Sequence, residues 1–321
     1  MKRIAVLTSG GDAPGMNAAI RAVVRTGIAS GLEVVGIRRG YAGLLDEEFM
    51  PLDRSSVVNV IQRGGTMLGT ARSERFRSPE GVTAAVAVLA TRDIDGVVLI
   101  GGDGTFRGAV ALAEAGGPPA VGIPGTIDND VFGTDRCLGF DTAVNTALDS
   151  IDRIRDTATS HELLHFVEVM GRHSGWLAAT AGLAGGAEAV LVPERPDQID
   201  ELCDHVAASV AAGKRSVIVA VAEGDDSGGA AAAATTVGRR LGLDYRVTTL
   251  GHVQRGGSPT ASDRILGGML GVAAVDLLVA GRGMVMLGEA GGAIVETPFD
   301  QTWTRSHNVP TALLDLVRRL G

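Results

Sequence analysis

The chain has 321 residues, of which 45% are hydrophobic and 21% charged, and its net charge is −8. This length allows one large domain or two intimately joined ones, and the negative charge argues against a nucleic-acid partner. No apolar run approaches the ~20 residues that span a membrane, no signal sequence is expected, and Cys137 and Cys203 lack metal-type spacing. We therefore expect a cytoplasmic protein with reduced thiols and no membrane partner.

The first predicted strand, at residues 4–8, leads into a glycine-rich turn at 9–17 and a helix over about 17–29. This order is typical of phosphate sites, because a helix N-terminus presents free N–H groups. The glycine spacing matches neither a Walker A motif nor G-x-G-x-x-G, so a plain tight turn is the alternative. Arg21 and Arg25 are expected on one face of this helix.

Two further glycine-rich stretches follow predicted strands. Residues 64–72 come after a strand at 33–37, and GGDGT at 101–105 comes after the β-branched run at 96–100. The second stretch places Asp103 among glycines, just before a helix predicted at 106–115. A carboxylate beside a phosphate-binding loop favours a bridging cation, and Mg²⁺ prefers such oxygen ligands.

The stretch GIPGTIDND at 122–130 contains two carboxylates, Asp128 and Asp130, two residues apart. In extended backbone they would point to the same side as Thr126. One acid could then take a proton from a hydroxyl while the other holds a metal or orients a partner. The alternative is a turn rich in Asp and Asn, which favour local hydrogen bonding.

Helices and strands continue to alternate after residue 130, which predicts an α/β fold whose ligands bind at the carboxyl edges of mostly parallel strands. Arg172 follows one predicted strand and Glu223 ends another, and a predicted glycine-rich turn at 246–257 contains Arg246, His252 and Arg255. The predicted helices cover 141–157, 198–212, 262–280 and 310–320, and the strands 164–170, 189–192, 216–223 and 284–287.

These residues favour phosphoryl transfer, in which the protein mainly positions groups and stabilises charge. Asp128 is the best candidate base for a sugar hydroxyl, and Arg172 would neutralise charge on the transferring group. Basic side chains of the 246–257 turn would hold a second phosphate. An NAD-dependent oxidoreductase would need the missing G-x-G-x-x-G, and a non-catalytic sugar-phosphate sensor would not need both Asp103 and Asp128.

The chain resembles the bacterial 6-phosphofructokinase family nearly from end to end. The motifs that carry the resemblance are SGGDAPGMN at 9–17, GGDGT at 101–105, PGTIDND at 124–130, VEVMGR at 167–172 and GHVQRGG at 251–257. HSGW at 173–176 resembles the branch that also holds pyrophosphate-dependent members.

The resemblance implies two intimately joined three-layer α/β domains with the active site in the cleft between them. The nucleotide domain would cover 1–138 plus 252–302, and the sugar-phosphate domain 139–251 plus 303–321. It also implies a cytoplasmic homotetramer that transfers the γ-phosphoryl group of ATP to the 1-hydroxyl of fructose 6-phosphate, giving fructose 1,6-bisphosphate and ADP.

The resemblance further assigns individual residues. Asp128 is the base, Thr126 and Arg172 share the catalytic role, and Asp103 binds Mg²⁺. Nucleotide contacts fall on Gly11, Tyr41, Arg72, Ser73, Gly102, Gly104 and Thr105. Sugar-phosphate contacts fall on Thr126, Asp128, Asp130, Met170, Gly171, Arg172, Glu223, Arg246, His252 and Arg255.

Two glycines bear on the phosphoryl donor. Pyrophosphate-using family members carry an aspartate where this chain has Gly104 and a lysine where it has Gly125. An aspartate would occupy and repel the α-phosphate, and a lysine would replace lost phosphate contacts. Two glycines leave room for a whole nucleotide, so we expect ATP as the donor.

Leu163 departs from the family, which usually has an arginine there that reaches the 6-phosphate from a neighbouring subunit. Losing one charged hydrogen bond would cost on the order of 1.5–3 kcal/mol. Arg246 and His252 could still bind the phosphate, or His165 could reach in. A different sugar or sugar phosphate is the alternative acceptor.

The resemblance also implies an effector site for ADP or phosphoenolpyruvate at a subunit interface. The matching residues are Arg21, Arg25, Arg54, Arg155, Glu188 and Lys214, whereas Arg215 and Ser216 depart from the usual basic pattern. Interface salt bridges without an effector are the alternative.

Overall fold

Strands and helices alternate along the chain in this computed structural model, which describes residues 1–161, 164–214 and 216–321. The strands are β1 (Arg3–Thr8), β2 (Glu33–Ile37), β3 (Phe49–Leu52), β4 (Gly96–Gly101), β5 (Ala120–Pro124), β6 (Leu164–Val169), β7 (Ala189–Leu191), β8 (Val217–Ala222), β9 (Tyr245–Thr249), β10 (Val285–Ala290) and β11 (Ala293–Pro298). The helices are α1 (Met16–Ala29), α2 (Gly40–Leu45), α3 (Pro79–Thr91), α4 (Asp103–Glu114), α5 (Phe140–His161), α6 (Trp176–Ala184), α7 (Ile199–Ala211), α8 (Ala230–Leu241), α9 (Ala261–Val279), α10 (Gln301–Thr304) and α11 (Thr311–Leu320). Short 3-10 helices cover Arg75–Arg77 and Gly251–Arg255.

The described residues divide into two compact units. Unit 1 comprises Met1–Thr126, Val131–Thr142 and Arg255–His307, and unit 2 comprises Ile127–Asp130, Ala143–Gln254 and Asn308–Gly321. Each unit has its own sheet, so the α/β fold with mostly parallel sheets is confirmed. The assignment of nucleotide to one domain and sugar phosphate to the other stays a prediction.

Unit 1 contains a seven-stranded sheet within the described residues, in the order β11-β10-β5-β4-β1-β2-β3. The five inner strands are parallel, and β3 and β11 run antiparallel at the edges. Every residue of β4 is buried, as expected for a parallel strand covered on both faces. Helices α1 and α9 pack closely at two glycines of α9. A Cβ at Gly267 would lie 3.0 Å from Ala19 N of α1, and a Cβ at Gly271 would lie 2.8 Å from Ala19 O.

The strand order of unit 1 reverses at β1. The chain runs from β1 to β2 and β3 on one side, and then returns to place β4 on the other side of β1. In open α/β sheets, ligands bind outside the carboxyl ends of the strands at such a switch point. The loops that follow β1 and β4 are two of the three glycine-rich stretches predicted to bind phosphate, and the topology places both of them there.

Unit 2 contains a four-stranded parallel sheet in the order β7-β8-β6-β9 among the described residues. β8 is fully buried, and Leu164, Phe166 and Val219 share a core with residues of α7 and α8. β6 lies between β8 and β9, so the carboxyl ends of these three strands are neighbours at one edge.

Three local predictions were wrong. Helix α4 begins at Asp103 rather than at 106, because extended Gly102 serves as its N-cap. Arg246 lies on β9 rather than in a turn, and this edge strand has no buried apolar run to reveal it. The segment around Asp128 bends, and Asn129 has φ +51°, so the alternation expected for extended backbone does not apply. α2, α3 and β11 were not predicted.

A membrane-spanning element was not expected from the sequence. Within the described ranges, no helix is both long and apolar enough to cross a bilayer.

Candidate active site

The glycine-rich loops of unit 1 are held together by side-chain hydroxyls bonded to backbone carbonyls. Thr70 Oγ1 donates to Gly10 O at 2.6 Å, and Thr8 Oγ1 donates to Gly69 O at 2.9 Å. Thr105 Oγ1 donates to Ser9 O at 3.2 Å. The stretch at 64–72 and the loops after β1 and β4 therefore form one cradle, whose backbone N–H groups suit phosphate.

Asn17 is a positioning residue that sequence reasoning missed. Its Nδ2 donates to Arg63 O at 3.0 Å and Gly64 O at 3.2 Å, and its Oδ1 accepts from Met67 N at 2.7 Å. The available signal was an Asn at the start of a predicted helix, directly after a glycine-rich loop. The side chain fixes one wall of the cradle to α1.

Gly11 and Arg255 lie against each other in unit 1. A Cβ at Gly11 would lie only 2.7 Å from Arg255 Nη1, so a side chain there would displace the end of Arg255. Arg255 Nε is buried and has no hydrogen-bond partner among the described residues. The structure thus brings Arg255, a predicted sugar-phosphate residue, to the loop predicted to bind nucleotide.

Asp103 occupies the first turn of α4, and its side chain is 53% exposed. Its Oδ1 accepts from Gly104 N at 2.8 Å, and Arg107 Nε is 3.9 Å from Oδ2. In the described part of the chain, no group of three or more His, Cys, Asp or Glu side chains forms a metal cage. Mg²⁺ is commonly held by one or two carboxylates together with substrate phosphates. Asp103 beside a phosphate cradle fits that pattern.

Tyr41 supports the start of α4. Its ring stacks on Phe76 with centroids 3.9 Å apart, and its hydroxyl donates to Thr105 O at 2.6 Å. Burial raises the pKa of the Tyr41 hydroxyl above its ordinary value, so it stays a neutral donor. Of the other predicted nucleotide residues, Arg72 is exposed, and Ser73 Oγ accepts from Phe76 N at 3.3 Å.

The two glycines that bear on the donor differ in their surroundings. A Cβ at Gly104 would meet no described atom within 4 Å. A Cβ at Gly125 would lie 2.9 Å from Met16 Cε and 3.2 Å from Ile100 Cγ2. An added side chain therefore has space at Gly104, whereas at Gly125 it would have to displace the core beneath it.

Asp128 and Arg172 form the central pair of unit 2. Arg172 Nε lies 3.7 Å from Asp128 Oδ2, and the two side chains are 55% and 6% exposed. Ser174 Oγ donates to Asp128 O at 2.8 Å and fixes the backbone of the acid. Asp130 is exposed, and Thr126 belongs to unit 1. The pair places a carboxylate and a guanidinium side by side, with the arginine open to solvent.

The turn after β6 holds Arg172 in an uncommon conformation. Gly171 has φ +142° and Arg172 has φ +53°. Glu223, at the end of β8, accepts from Arg172 N at 2.9 Å. A Cβ at Gly224 would lie 1.6 Å from Arg172 O, so this position also requires glycine. Glu223, predicted to contact the sugar, thus also fixes the turn that carries Arg172.

The other predicted sugar-phosphate residues of unit 2 are not all at the same edge. Met170 is buried at the end of β6, and exposed His252 follows β9. Arg246 is the second residue of β9, so it lies roughly 10 Å from the carboxyl end of that strand, at about 3.3 Å per residue. Its partner in the register is His165 on β6.

Three of the predicted effector residues meet in unit 2. Glu188 Oε1 lies 3.6 Å from Arg155 Nη1 and 3.8 Å from Lys214 Nζ, and Arg155 also donates to Gly185 O at 2.7 Å. In unit 1, Arg21 and Arg25 lie on α1 and exposed Arg54 follows β3. Leu163, the departure that bears on the acceptor, lies outside the described residues, as does Arg215.

A phosphate cradle at the switch point of one sheet and a carboxylate–arginine pair at the edge of another define a phosphoryl-transfer class of protein. The family model described as Phosphofructokinase matches residues 3–278. The chain belongs to the phosphofructokinase family, and the resemblance seen in its motifs is confirmed.

The comparisons with single relatives agree. The chain is 57% identical over 321 residues to the ATP-dependent 6-phosphofructokinase 1 of Thermus thermophilus, covering 100% of both chains. It is 50% identical to the ATP-dependent 6-phosphofructokinase of Halothermothrix orenii, again over 100% of both.

Two solved structures extend the agreement to the fold. Phosphofructokinase from Saccharomyces cerevisiae matches at 35% identity with a TM-score of 0.89, over 95% of this chain and 45% of that one. The chain thus spans less than half of the yeast polypeptide. A pyrophosphate-dependent phosphofructokinase from Marinobacter aquaeolei matches at 25% identity with a TM-score of 0.86, over 97% of this chain and 86% of that one.

Proposed function

We propose that this protein transfers the γ-phosphoryl group of ATP to the 1-hydroxyl of fructose 6-phosphate. The observation that carries the proposal is the buried Asp128 carboxylate 3.7 Å from the exposed Arg172 guanidinium. It is supported by full-length similarity to relatives named ATP-dependent 6-phosphofructokinase. A different acceptor and a non-catalytic sensor are less well supported, because those relatives share the whole chain.

Asp128 and Arg172 have different roles in the proposed reaction. Asp128 takes the proton from the attacking hydroxyl as a general base. Arg172 stabilises the charge that builds on the phosphoryl oxygens during transfer. Ser174 and Glu223 hold the two backbones, so both side chains are placed before the substrate arrives. Thr126 and Asp130 complete the proposed contacts on the acceptor side.

ATP rather than pyrophosphate is the proposed donor. Space at Gly104 leaves room for the α-phosphate, and a lysine at Gly125 would have to push aside the side chain of Met16. Gly11, Gly102, Gly104 and Thr105 would face the phosphates. Bound Mg²⁺ would be held by Asp103 and would supply positive charge to the phosphate oxygens.

The proposals of a homotetramer and of an effector site are supported by the positions of particular charged residues. Arg246 lies well away from the carboxyl edge of its own sheet, which supports its use by a neighbouring subunit in a homotetramer. Glu188 already forms ion pairs with Arg155 and Lys214. This cluster supports an effector site for ADP or phosphoenolpyruvate, to which Arg21, Arg25 and Arg54 would also contribute. A cytoplasmic location is supported by the burial of both cysteines, Cys137 and Cys203.

The central test is an ADP-release assay with Mg-ATP and fructose 6-phosphate, using pyrophosphate as the competing donor. Asp128→Asn removes the base and is expected to lower kcat by roughly 10²–10⁴-fold. The matched control is Asp152→Asn, an exposed acid on α5, with kcat unchanged. Binding without turnover would support the sensor, and faster turnover with pyrophosphate would overturn the donor assignment.

A second test concerns the acceptor. Leu163→Arg restores the cation usual in the family, and the added charged hydrogen bond is expected to lower KM for fructose 6-phosphate by about tenfold or more. KM values for fructose 6-phosphate and for fructose, which has no phosphate to bind, would be compared. An equal change for both sugars would show that position 163 does not contact the phosphate.

A further inference from the structure

Unit 2 contains a pocket that the proposed reaction does not use. It lies between β7, α7 and α11 and encloses about 560 Å³ of space including its open mouth. β7 is the sheet edge opposite β9. None of the proposed catalytic, nucleotide or sugar-phosphate residues lines the pocket, whereas one predicted effector residue, Glu188, does.

The inner wall of the pocket is apolar. Leu191 comes from β7, Leu202 from α7, and Leu314 and Val317 from α11. All four side chains are buried, at 1–7% exposure, so the wall is a fixed part of the core rather than a loose surface. Such a wall suits a short hydrocarbon body.

The charged residues that line the pocket are Arg195, Arg318, Glu201 and Glu188. Arg195 Nη2 lies 2.8 Å from Glu201 Oε2, and Arg318 Nη1 lies 3.4 Å from Glu201 Oε1. Arg318 also lies 3.3 Å from Asp315, which does not line the pocket. Of the two lining carboxylates, Glu201 is shared by both guanidinium groups, and Glu188 lies 3.6 Å from Arg155 and 3.8 Å from Lys214. Exposed ion pairs of this kind are weak, so either arginine can turn to another anion.

A polar atom within the pocket wall also lacks a partner. His205, on α7, lines the pocket, and its Nε2 is buried with no hydrogen-bond partner among the described residues. Buried polar atoms are normally satisfied by protein, water or ligand. This atom has almost no exposed surface, so it adds polar character to the wall of the pocket without facing its open space.

We propose that this pocket binds a small monocarboxylate with an apolar body. The body packs on Leu191, Leu202 and Leu314, and the carboxylate accepts hydrogen bonds from Arg195 and Arg318. Charge-assisted, forked pairing with guanidinium is the strongest recognition available for this group. The proposal does not depend on the proposed phosphoryl transfer.

Hexanoate is the probe for the test, titrated against the full-length protein and followed by saturation-transfer NMR. Hexanol and hexylammonium, which keep the body and change the head, are the comparison ligands. Hexanoate is expected to bind with Kd on the order of 1 mM, as suits a ligand of this size. Hexylammonium should bind at least about tenfold more weakly, because it meets two arginines.

Three variants test whether the arginines bind the carboxylate or whether the pocket holds only the apolar body of the ligand. Arg318→Gln should weaken hexanoate binding about five- to tenfold, given a charged hydrogen bond at a partly exposed site. Arg319→Gln, one residue further along α11 and not part of the lining, should leave it unchanged. Glu201→Gln should strengthen binding about threefold, because it releases both guanidinium groups from their shared partner.

The expected changes in hexanoate affinity have opposite signs for Arg318→Gln and Glu201→Gln, so the proposal can be tested even if one variant folds poorly. It is overturned if hexanoate shows no saturable binding at tens of millimolar, if hexanol binds as tightly, or if Arg318→Gln and Arg319→Gln behave alike.

Discussion

The glycine-rich cradle of unit 1 and the β6 turn of unit 2 prepare for charged ligands in different ways. In unit 1 the loops are joined by neutral hydrogen bonds from Thr8, Thr70 and Asn17 to the main chain. In unit 2 a carboxylate, Glu223, holds a left-handed arginine, and a second carboxylate, Asp128, faces the guanidinium. The first site is therefore made of backbone, and the second of charged side chains in the loops that follow β5, β6 and β8.

This difference explains where each region tolerates change. A backbone cradle depends on glycines where the chain must approach a neighbour closely, and it shows itself in the sequence as glycine motifs. A side-chain site depends on a turn geometry that places a few charged atoms to within a fraction of an ångström. Substitutions that alter the turn should therefore affect catalysis first, and those that crowd the cradle should affect stability first.

The largest expected effect in this comparison is that of Gly224→Ala in unit 2. The new Cβ would lie 1.6 Å from Arg172 O, so the turn must move and carry the guanidinium away from Asp128. Displacements of about 1 Å at a reacting group cost on the order of 100-fold in rate, and we expect a loss of kcat of that size. The measurement is kcat together with a thermal melt.

Gly268→Ala is the matched control for the glycine substitutions. A Cβ there meets no described atom within 4 Å, and the residue lies within helix α9, where Ala is favoured over Gly. An unchanged kcat in Gly224→Ala would show that the β6 turn adapts, and the contrast between the two regions would be lost.

A smaller effect, on stability, is expected from Gly125→Ala in unit 1. Its Cβ would lie 2.9 Å from Met16 Cε, and overpacking of this kind costs about 1–3 kcal/mol. Denaturant unfolding would measure the loss. Adding Met16→Leu, which removes the clashing methyl group, should restore part of it. Failure of that rescue would place the strain in the backbone of the β5 loop rather than in the core.

The smallest effect concerns pH and His165 in unit 2. Burial, and next the charge of Arg246, lower the pKa of His165 below its ordinary value. Because the folded state binds this proton less readily than the unfolded state, stability is present above the unfolded pKa of about 6.5 and is lost as pH falls below it.

Replacing His165 by Gln should flatten that fall in stability, as measured by urea unfolding from pH 7.5 to 5.5. Arg246→Gln should reduce it, since one cause of the lowered pKa is removed. His173→Gln, at an exposed histidine of the same unit, provides the control. A pH dependence that persists unchanged in His165→Gln would assign it to another group.

Much of the architecture could be predicted from local patterns. Buried strands such as β4 and β8 can be recognised in the sequence as continuous apolar stretches. The glycine motifs after β1 and β4 indicate a phosphate cradle. Edge strand β9 was missed because it has no continuous apolar run, although its Tyr, Val and Thr residues are typical of strands. Asn17 and Ser174 escaped notice because their importance depends on which backbone atoms lie opposite them.

The amino-acid sequence by itself determined the family, the α/β alternation and the residue types available for phosphoryl transfer, since motifs and periodicity are local properties of the chain. Tertiary structure alone decided that strand order reverses at β1, that Arg255 lies against Gly11, and that Arg246 stands apart from the edge that carries Arg172. It also decided that Asn129 bends the backbone between Asp128 and Asp130. Strand order and close approach join residues far apart in the chain, and no local propensity encodes which of them meet.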